Sequence, residues 1–272
     1  MSDRWGFFLP ILLFILTFSS TTDLLSKPSL TKGVTREAEQ YYMMAKTYHD
    51  MGKRNQAFHL YEKAISIDVS LIKAYTGLTR WYAEENRYRD AIAVITRLIQ
   101  QYPKNIDFYY SRAYFYTLIN NYDAAFADWT TMIALEPNSV AALWSRGHYL
   151  RKHNRYQEAL ADFEQLHRVD TDPTKISTYF LALTQIELNQ YQEAIQNLQI
   201  YETASLKGEE NQWHTLGEIY FLLARSLRLS GQKQEAALYY SKAIEHRFWP
   251  DATKKVVSEA QRYSNNHLRI RN

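Results

Sequence analysis

Cysteine is absent from the 272 residues. That excludes disulfides, thiolate metal sites, a cysteine nucleophile and a lipid-modified cysteine anchor. It also suits an oxidising compartment, where stray thiols would cross-link. Glycine and proline are scarce, at 8 and 6 residues, so long irregular loops have little to be built from. A strong excess of one charge is lacking too: the net charge of +3 is too small to point to nucleic acid. No Asn-x-Ser/Thr acceptor occurs, which weakly favours a bacterial periplasm over a eukaryotic lumen. No His-Glu-x-x-His, Asp-rich calcium loop or Gly-rich phosphate loop is present. His148 and His153 lie five apart and share no helical face, and the adjacent pairs Glu84–Glu85 and Glu209–Glu210 point in different directions on a helix. The sequence therefore predicts no catalytic residues, no metal site and no cofactor.

Long apolar runs are also missing, with one exception. Residues Trp5–Phe18 read WGFFLPILLFILTF after a short polar start containing Arg4. Small and hydroxyl residues follow, from Thr17 through Ser19, Ser20, Thr21 and Thr22. This pattern fits a signal peptide or an N-terminal membrane anchor over residues 1–20, followed by a linker over 21–37. The run falls short of the roughly twenty apolar residues that span a bilayer, and Pro10 interrupts it. A cleaved signal, a retained anchor and a buried N-terminal helix of a cytoplasmic chain all stay open. The first two place the remainder across a membrane, either free in a bacterial periplasm or anchored to the inner membrane and facing it. In a eukaryote the same pattern would mean the secretory pathway.

What the chain has in quantity is aromatic residues, 22 Tyr, 12 Phe and 6 Trp, and a fixed period. Ala57, Ala91, Ala125 and Ala159 are 34 residues apart, and Ala194 and Ala236 follow at gaps of 35 and 42. Five residues before each stands a helix breaker: Gly52, Asn86, Asn120, Asn154, Asn189 and Gly231. Two registers in step at this period mean stacked supersecondary units, none able to bury its apolar face alone.

Each unit reads as two helices, A and B, joined by a tight turn. In 106–139, helix A covers Ile106–Leu118 with Tyr109, Ala113 and Tyr116 at helical spacing. Asn120–Asn121 can turn left-handed, Tyr122 opens helix B, and Pro137 stops it. Close helix approach needs a small residue at the crossing. Ala45, Ala113, Gly147, Ala182 and Ala224 supply it on helix A, with Thr79 the bulky exception, and the six marker alanines supply it on helix B. Tyr61, Ile95, Trp129, Phe163, Leu198 and Tyr240 fill the space beside them.

The spacing, the small residue on helix A, the Gly/Asn turn, Tyr88, Tyr122, Tyr156 and Tyr191, the marker alanine, the large residue four later, and Pro103 and Pro137 together resemble the tetratricopeptide repeat (TPR). The resemblance implies an all-α fold, a right-handed α-solenoid of about six helix-turn-helix repeats with a C-terminal capping helix. The array would run over 38–250, as units 38–71, 72–105, 106–139, 140–174, 175–208 and 217–250. Residues 251–272 would form the cap, with Val256, Val257 and Ala260 inward, and a basic tail. The last two units depart from the pattern. Thr178 and Gln185 replace larger apolar residues, and an extra stretch at roughly 202–214 needs a loop or an early helix start near Trp213.

Arrays of this family resemble one another in a concave groove lined by helix A. Carried over by position, the lining is Tyr42, Lys46 and His49, then Lys73 and Arg80, then Tyr110 and Tyr114. It continues with Trp144, His148 and Arg151, then Tyr179 and Leu183, then Phe221, Arg225 and Arg228. Tyr, Trp and Arg are enriched at binding hot spots, so the expected partner is a protein or peptide segment, net acidic in view of the basic lining. The carboxylate-clamp subtype is not matched, because Tyr42, Lys46, Gly77, Asp107 and Ser111 stand at its positions. The expected role is a non-catalytic scaffold or adaptor in a secretion or cell-envelope machine. Alternatives are a chaperone for one exported client and recognition of a polysaccharide or peptidoglycan. Nucleic acid is not expected. Membrane association would come through the N-terminus.

Overall fold

The computed structural model describes residues 32–169, 171, 176–206 and 216–246. Among them are twelve α-helices and no strand. The chain divides into two compact units at Leu135 and Glu136. The first holds α1 Lys32–Asp50, α2 Arg54–Ile67, α3 Ile72–Glu84, α4 Tyr88–Gln101, α5 Ile106–Leu118 and α6 Tyr122–Leu135. The second holds α7 Val140–Lys152, α8 Tyr156–Val169, α9 Ile176–Glu187, α10 Tyr191–Leu206, α11 Leu216–Leu229 and α12 Lys233–Glu245. Within each unit every helix packs against its sequence neighbours, so three helical hairpins stack in order.

The turns are where the period predicts them. Asn86, Asn120, Asn154 and Asn189 have φ of 57°, 57°, 60° and 61°, and Gly52 and Gly231 have 72° and 89°. Asparagine tolerates the left-handed region better than most residues, and glycine enters it freely. Each turn closes with a pair of backbone bonds. In the second repeat, Arg87 N–H donates to the Tyr82 carbonyl at 2.8 Å and Asn86 N–H to that of Ala83 at 3.0 Å. This is the Schellman pattern, which satisfies carbonyls that the helix end would leave open.

The crossings are as expected from the small residues. All six marker alanines are without solvent exposure, and so are Ala45, Ala113, Ala182 and Ala224. Tyr61, Ile95, Trp129, Phe163, Leu198 and Tyr240 are buried beside them. The second repeat solves its crossing differently. Thr79 is buried at the small-residue position, with Oγ1 lacking a hydrogen-bond partner. Gly77 serves a different contact, between α3 and the preceding α2, where a Cβ would collide with the Tyr61 ring.

Three departures have physical reasons. Helix α1 starts at Lys32, inside the segment expected as linker. Helix α10 reaches Leu206 and absorbs residues 202–206 of the expected extra stretch, as no proline stops it. Thr178 and Gln185 are buried yet paired: Thr178 Oγ1 lies 3.2 Å from His167 Nδ1, and Gln185 Oε1 accepts from Asn197 Nδ2 at 2.8 Å. A paired polar group is tolerable in a core where an unpaired one is costly. The expected signal or anchor, the helix start near Trp213 and the capping helix with its basic tail lie outside the described residues. Among the described residues no helix is long and apolar enough to cross a membrane.

Candidate functional site

In the first unit the helix-A residues come from α1, α3 and α5. Tyr42 is half-buried, its ring centroid 6.2 Å from that of Tyr61. His49 bridges the first two hairpins, with Nε2 2.8 Å from Glu84 Oε2 and Nδ1 3.3 Å from the Tyr61 hydroxyl. Burial is the main reason that the Tyr61 phenol is pushed up to about 12, with Tyr42 adding to it. Lys46 is exposed, and exposed Lys73 lies 3.9 Å from Glu39. Arg80 is half-buried, and its Nε is buried without an acceptor. Tyr110 and Tyr114 are half-buried, and burial raises both phenols.

In the second unit the helix-A residues come from α7, α9 and α11. Trp144 and His148 sit on one face of α7, four residues apart, with ring centroids 4.5 Å apart. Phe180 of α9 closes against both, at 4.9 Å from Trp144 and 4.2 Å from His148, and Phe163 of α8 stands 5.6 Å behind the imidazole. The imidazole is thereby boxed in. Burial, with the Arg151 charge second, lowers its pKa to about 3, so it is neutral at ordinary pH. The Arg151 guanidinium lies over the Phe180 ring at 5.9 Å, and its Nε is buried without a partner. Leu183, Phe221, Arg225 and Arg228 are half-buried, with Phe221 edge-on to Tyr240 at 6.1 Å.

One expected lining residue is corrected. Tyr179 is 2% exposed and does not face a ligand. Its hydroxyl donates to Glu218 Oε1 at 2.6 Å, and its ring packs 5.3 Å from that of Tyr201. Burial first, and Glu218 second, raise its phenol well above the usual value. Tyr179 is a tie between α9 and α11.

Several partners were not anticipated from the sequence. Glu84 and Glu218 receive His49 and Tyr179, and Phe180 completes the box around His148. Two buried ion pairs also join helix A to helix B. Arg112 donates to Asp128 through Nε at 2.9 Å and Nη2 at 2.7 Å, and Arg146 donates to Asp162 with the same two distances. Both arginines and both aspartates are 34 residues apart, a second periodic signal beneath the first. Among the described residues no group of three or more His, Asp or Glu side chains is placed to hold a metal ion.

Stacked helical hairpins with small-residue crossings and aromatic, basic helix-A faces define a helical-repeat interaction scaffold. Family models described as tetratricopeptide repeat match residues 38–68, 82–139, 144–205 and 217–245. The chain belongs to the tetratricopeptide repeat family, which is generally non-catalytic and binds protein or peptide partners. No curated protein sequence matches the chain. Among solved structures it is similar to a tetratricopeptide repeat protein from Parabacteroides merdae, at 17% identity and a TM-score of 0.50, over 84% of this chain and 99% of that one. MamA from Desulfovibrio magneticus RS-1 is similar at 17% identity and a TM-score of 0.52, over 64% and 94%. Pseudomonas aeruginosa pilF is similar at 17% identity and 0.51, over 78% and 92%. These are likenesses of fold.

Proposed function

We propose that the chain is an adaptor that holds an extended or helical segment of a partner protein against its helix-A faces. One observation carries this reading. In the second unit Trp144, Arg151, Phe221 and Arg225 remain only half-buried on helices A, although a stack needs none of them at the surface. Large amphipathic side chains of these types are those that anchor interfaces. Helix-A residues of the first unit extend the same character, with Tyr42, Lys46, Arg80 and Tyr110 half-buried or exposed.

The test is a display library of twelve-residue peptides selected on the full chain, with affinities of the selected peptides remeasured on Arg80→Glu and Trp144→Ala. The expected result is a loss of about tenfold or more in at least one variant, the size of a lost hot spot. Unchanged affinity in both would end the proposal. Binding of a net acidic segment should also weaken as salt rises, whereas stacking of a glycan on the aromatic residues should not.

The compartment belongs to the same proposal. The charged start, the apolar run Trp5–Phe18 and the small-residue exit support export or tethering through the N-terminus, with the array acting in assembly of an envelope or secretion machine. Sequencing the N-terminus of the native protein tests cleavage, and recovery of the chain only with cytosolic markers would overturn export.

A further inference from the structure

Helix α1 is the first of the described stack, packs on α2 and α3, and is longer than a repeat requires. It has 19 residues, where the helices A of the other repeats have 12 to 14. Its inner face is set by Ala38 and Ala45, both without solvent exposure, with Tyr41, Tyr42, Tyr48 and His49 half-buried beside them. The outer face of a terminal repeat is normally polar. Here it carries Met43 and Met44, with Met51 following in the turn, at 56%, 47% and 64% exposure. Met132, by contrast, is 2% exposed.

That outer face also has an order. Arg36, Gln40, Met43, Thr47 and Asp50 are all exposed and follow one another at intervals of four, three, four and three residues. Such spacing draws one stripe along a helix, the seam by which two helices pack side by side. Met43 is its midpoint, with Arg36 seven residues before it and Asp50 seven after. The stripe is therefore complementary to its own reverse. Two copies of α1 laid antiparallel put Met43 on Met43 and each Arg36 against Asp50 of the other copy. Laid parallel, they would put like charge on like charge, which is costly. Within the chain the ion pairs of α1 use other residues, Glu39 with Lys73 at 3.9 Å and His49 with Glu84 at 2.8 Å. Methionine suits the centre of such a contact, because its flexible thioether adapts to the surface it meets.

We propose that the outer face of α1 is a self-association site, occupied by α1 of a second copy of this chain in antiparallel register about a two-fold axis at Met43. A contact of that symmetry is closed, so it makes dimers and not filaments. One helix face against another is at the small end of interface sizes, so the dimer is weak and reversible. The site is independent of the adaptor reading, whose half-buried α1 residues Tyr42 and His49 belong to the inner face.

The test is sedimentation velocity of the full chain from about 1 µM to 1 mM, the range of weak association. The parent should pass from monomer to dimer and no further. Each charge acts twice across a two-fold axis, so Arg36→Asp or Asp50→Arg alone should weaken the dimer by about tenfold. The double variant Arg36→Asp/Asp50→Arg should recover the parent's association. An equimolar mixture of the two single variants should recover it as well, because each supplies the charge that the other lost. Met43→Glu should remove the dimer, since two carboxylates would meet at the axis. A parent that stays monomeric throughout overturns the proposal. Peroxide then shows what holds the face instead: Met43, Met44 and Met51 oxidising as slowly as Met132 would mean cover by the chain's own residues, and rapid oxidation a face left for a different protein. Dimers that persist unchanged in Arg36→Asp also overturn it, because they form elsewhere, as through the apolar run Trp5–Phe18. Either failure would leave the adaptor reading standing, since that reading is judged by selected peptides on Arg80→Glu and Trp144→Ala.

Discussion

The Tyr156 hydroxyl donates to Asn154 Oδ1 at 2.7 Å, across the turn that joins α7 to α8. Tyr88 does the same to Asn86 at 2.7 Å and Tyr122 to Asn120 at 3.3 Å, and Tyr191 pairs with Asn189. The asparagine thus does two things: its backbone takes the left-handed conformation, and its side chain anchors the first residue of helix B. Gly52 and Gly231, which lack a side chain, are followed by Arg54 and Lys233 at the tyrosine position. The two turn chemistries therefore predict different costs. Asn154→Gly keeps the φ of 60° accessible and loses only the exposed side-chain bond, so urea unfolding should show a loss below about 1 kcal/mol. Asn154→Ala keeps a Cβ in that region but loses the short polar side chain that makes it tolerable for asparagine, and should cost about 1–2 kcal/mol more than the glycine variant. Equal losses would show that the backbone conformation is not what the asparagine supplies.

The pairs Arg112–Asp128 and Arg146–Asp162 set up a sharper case. Asp162 is 3% exposed, and its two oxygens receive the arginine fork. Removing one partner leaves a buried charge uncompensated, so Asp162→Val alone should destabilise the second unit by about 3–5 kcal/mol. The second repeat shows the alternative. At the equivalent positions, 34 residues earlier than Arg112 and Asp128, stand Leu78 and Val94, both buried. The double variant Arg146→Leu/Asp162→Val should therefore recover most of the loss in the same chemical denaturation series. If the double variant is as unstable as the single, the ion pair carries more of the hairpin than packing does.

Thr79 is the residue that breaks the small-residue rule, and its buried Oγ1 has no partner. Valine has the same branched shape without the hydroxyl. Thr79→Val should raise stability by about 1 kcal/mol by removing an unsatisfied polar atom. Ala125, by contrast, obeys the rule and has no exposure, so Ala125→Leu should overpack its crossing and cost about 1–3 kcal/mol. Thermal melts of the two variants should move in opposite directions; a Thr79→Val variant less stable than the parent would refute the assignment.

Much of the fold was legible because it is written in single positions. A left-handed turn admits few residue types, so Asn86, Asn120, Asn154 and Asn189 announce themselves, and a close crossing admits only small ones. The site was less legible because it depends on pairs. Arg146 and Asp162 are sixteen residues apart on facing helices, and nothing local to either marks the other. Tyr179 occupies a lining position in the family pattern, yet Glu218 and Tyr201 draw it inward, and both lie on helices that follow it. His148 reads as a polar face residue until Phe180, the residue next to Tyr179, is seen to enclose it.

That enclosure gives His148 a measurable signature. Burial lowers its pKa to about 3 from an ordinary 6.5, so the fold holds the neutral ring. Above pH 6.5 neither the folded nor the unfolded chain binds a proton there, and the packing contribution is complete. Below it the unfolded chain takes up a proton that the folded chain refuses, so stability falls with pH through the interval between 6.5 and about 3. The slope from this one group is at most about 1.4 kcal/mol per pH unit, the full linkage value for one proton. The Arg151 charge, second to burial, pushes the imidazole in the same direction. His148→Phe keeps an aromatic ring between Trp144 and Phe180 and removes the proton site. Denaturation from pH 7 to pH 5 should show parent and variant converging on the carboxylate titrations alone at the upper end. The parent should then fall progressively below the variant as pH drops. Parallel curves over that range would mean that the imidazole is free to protonate in the folded chain, and that the aromatic box is open to water.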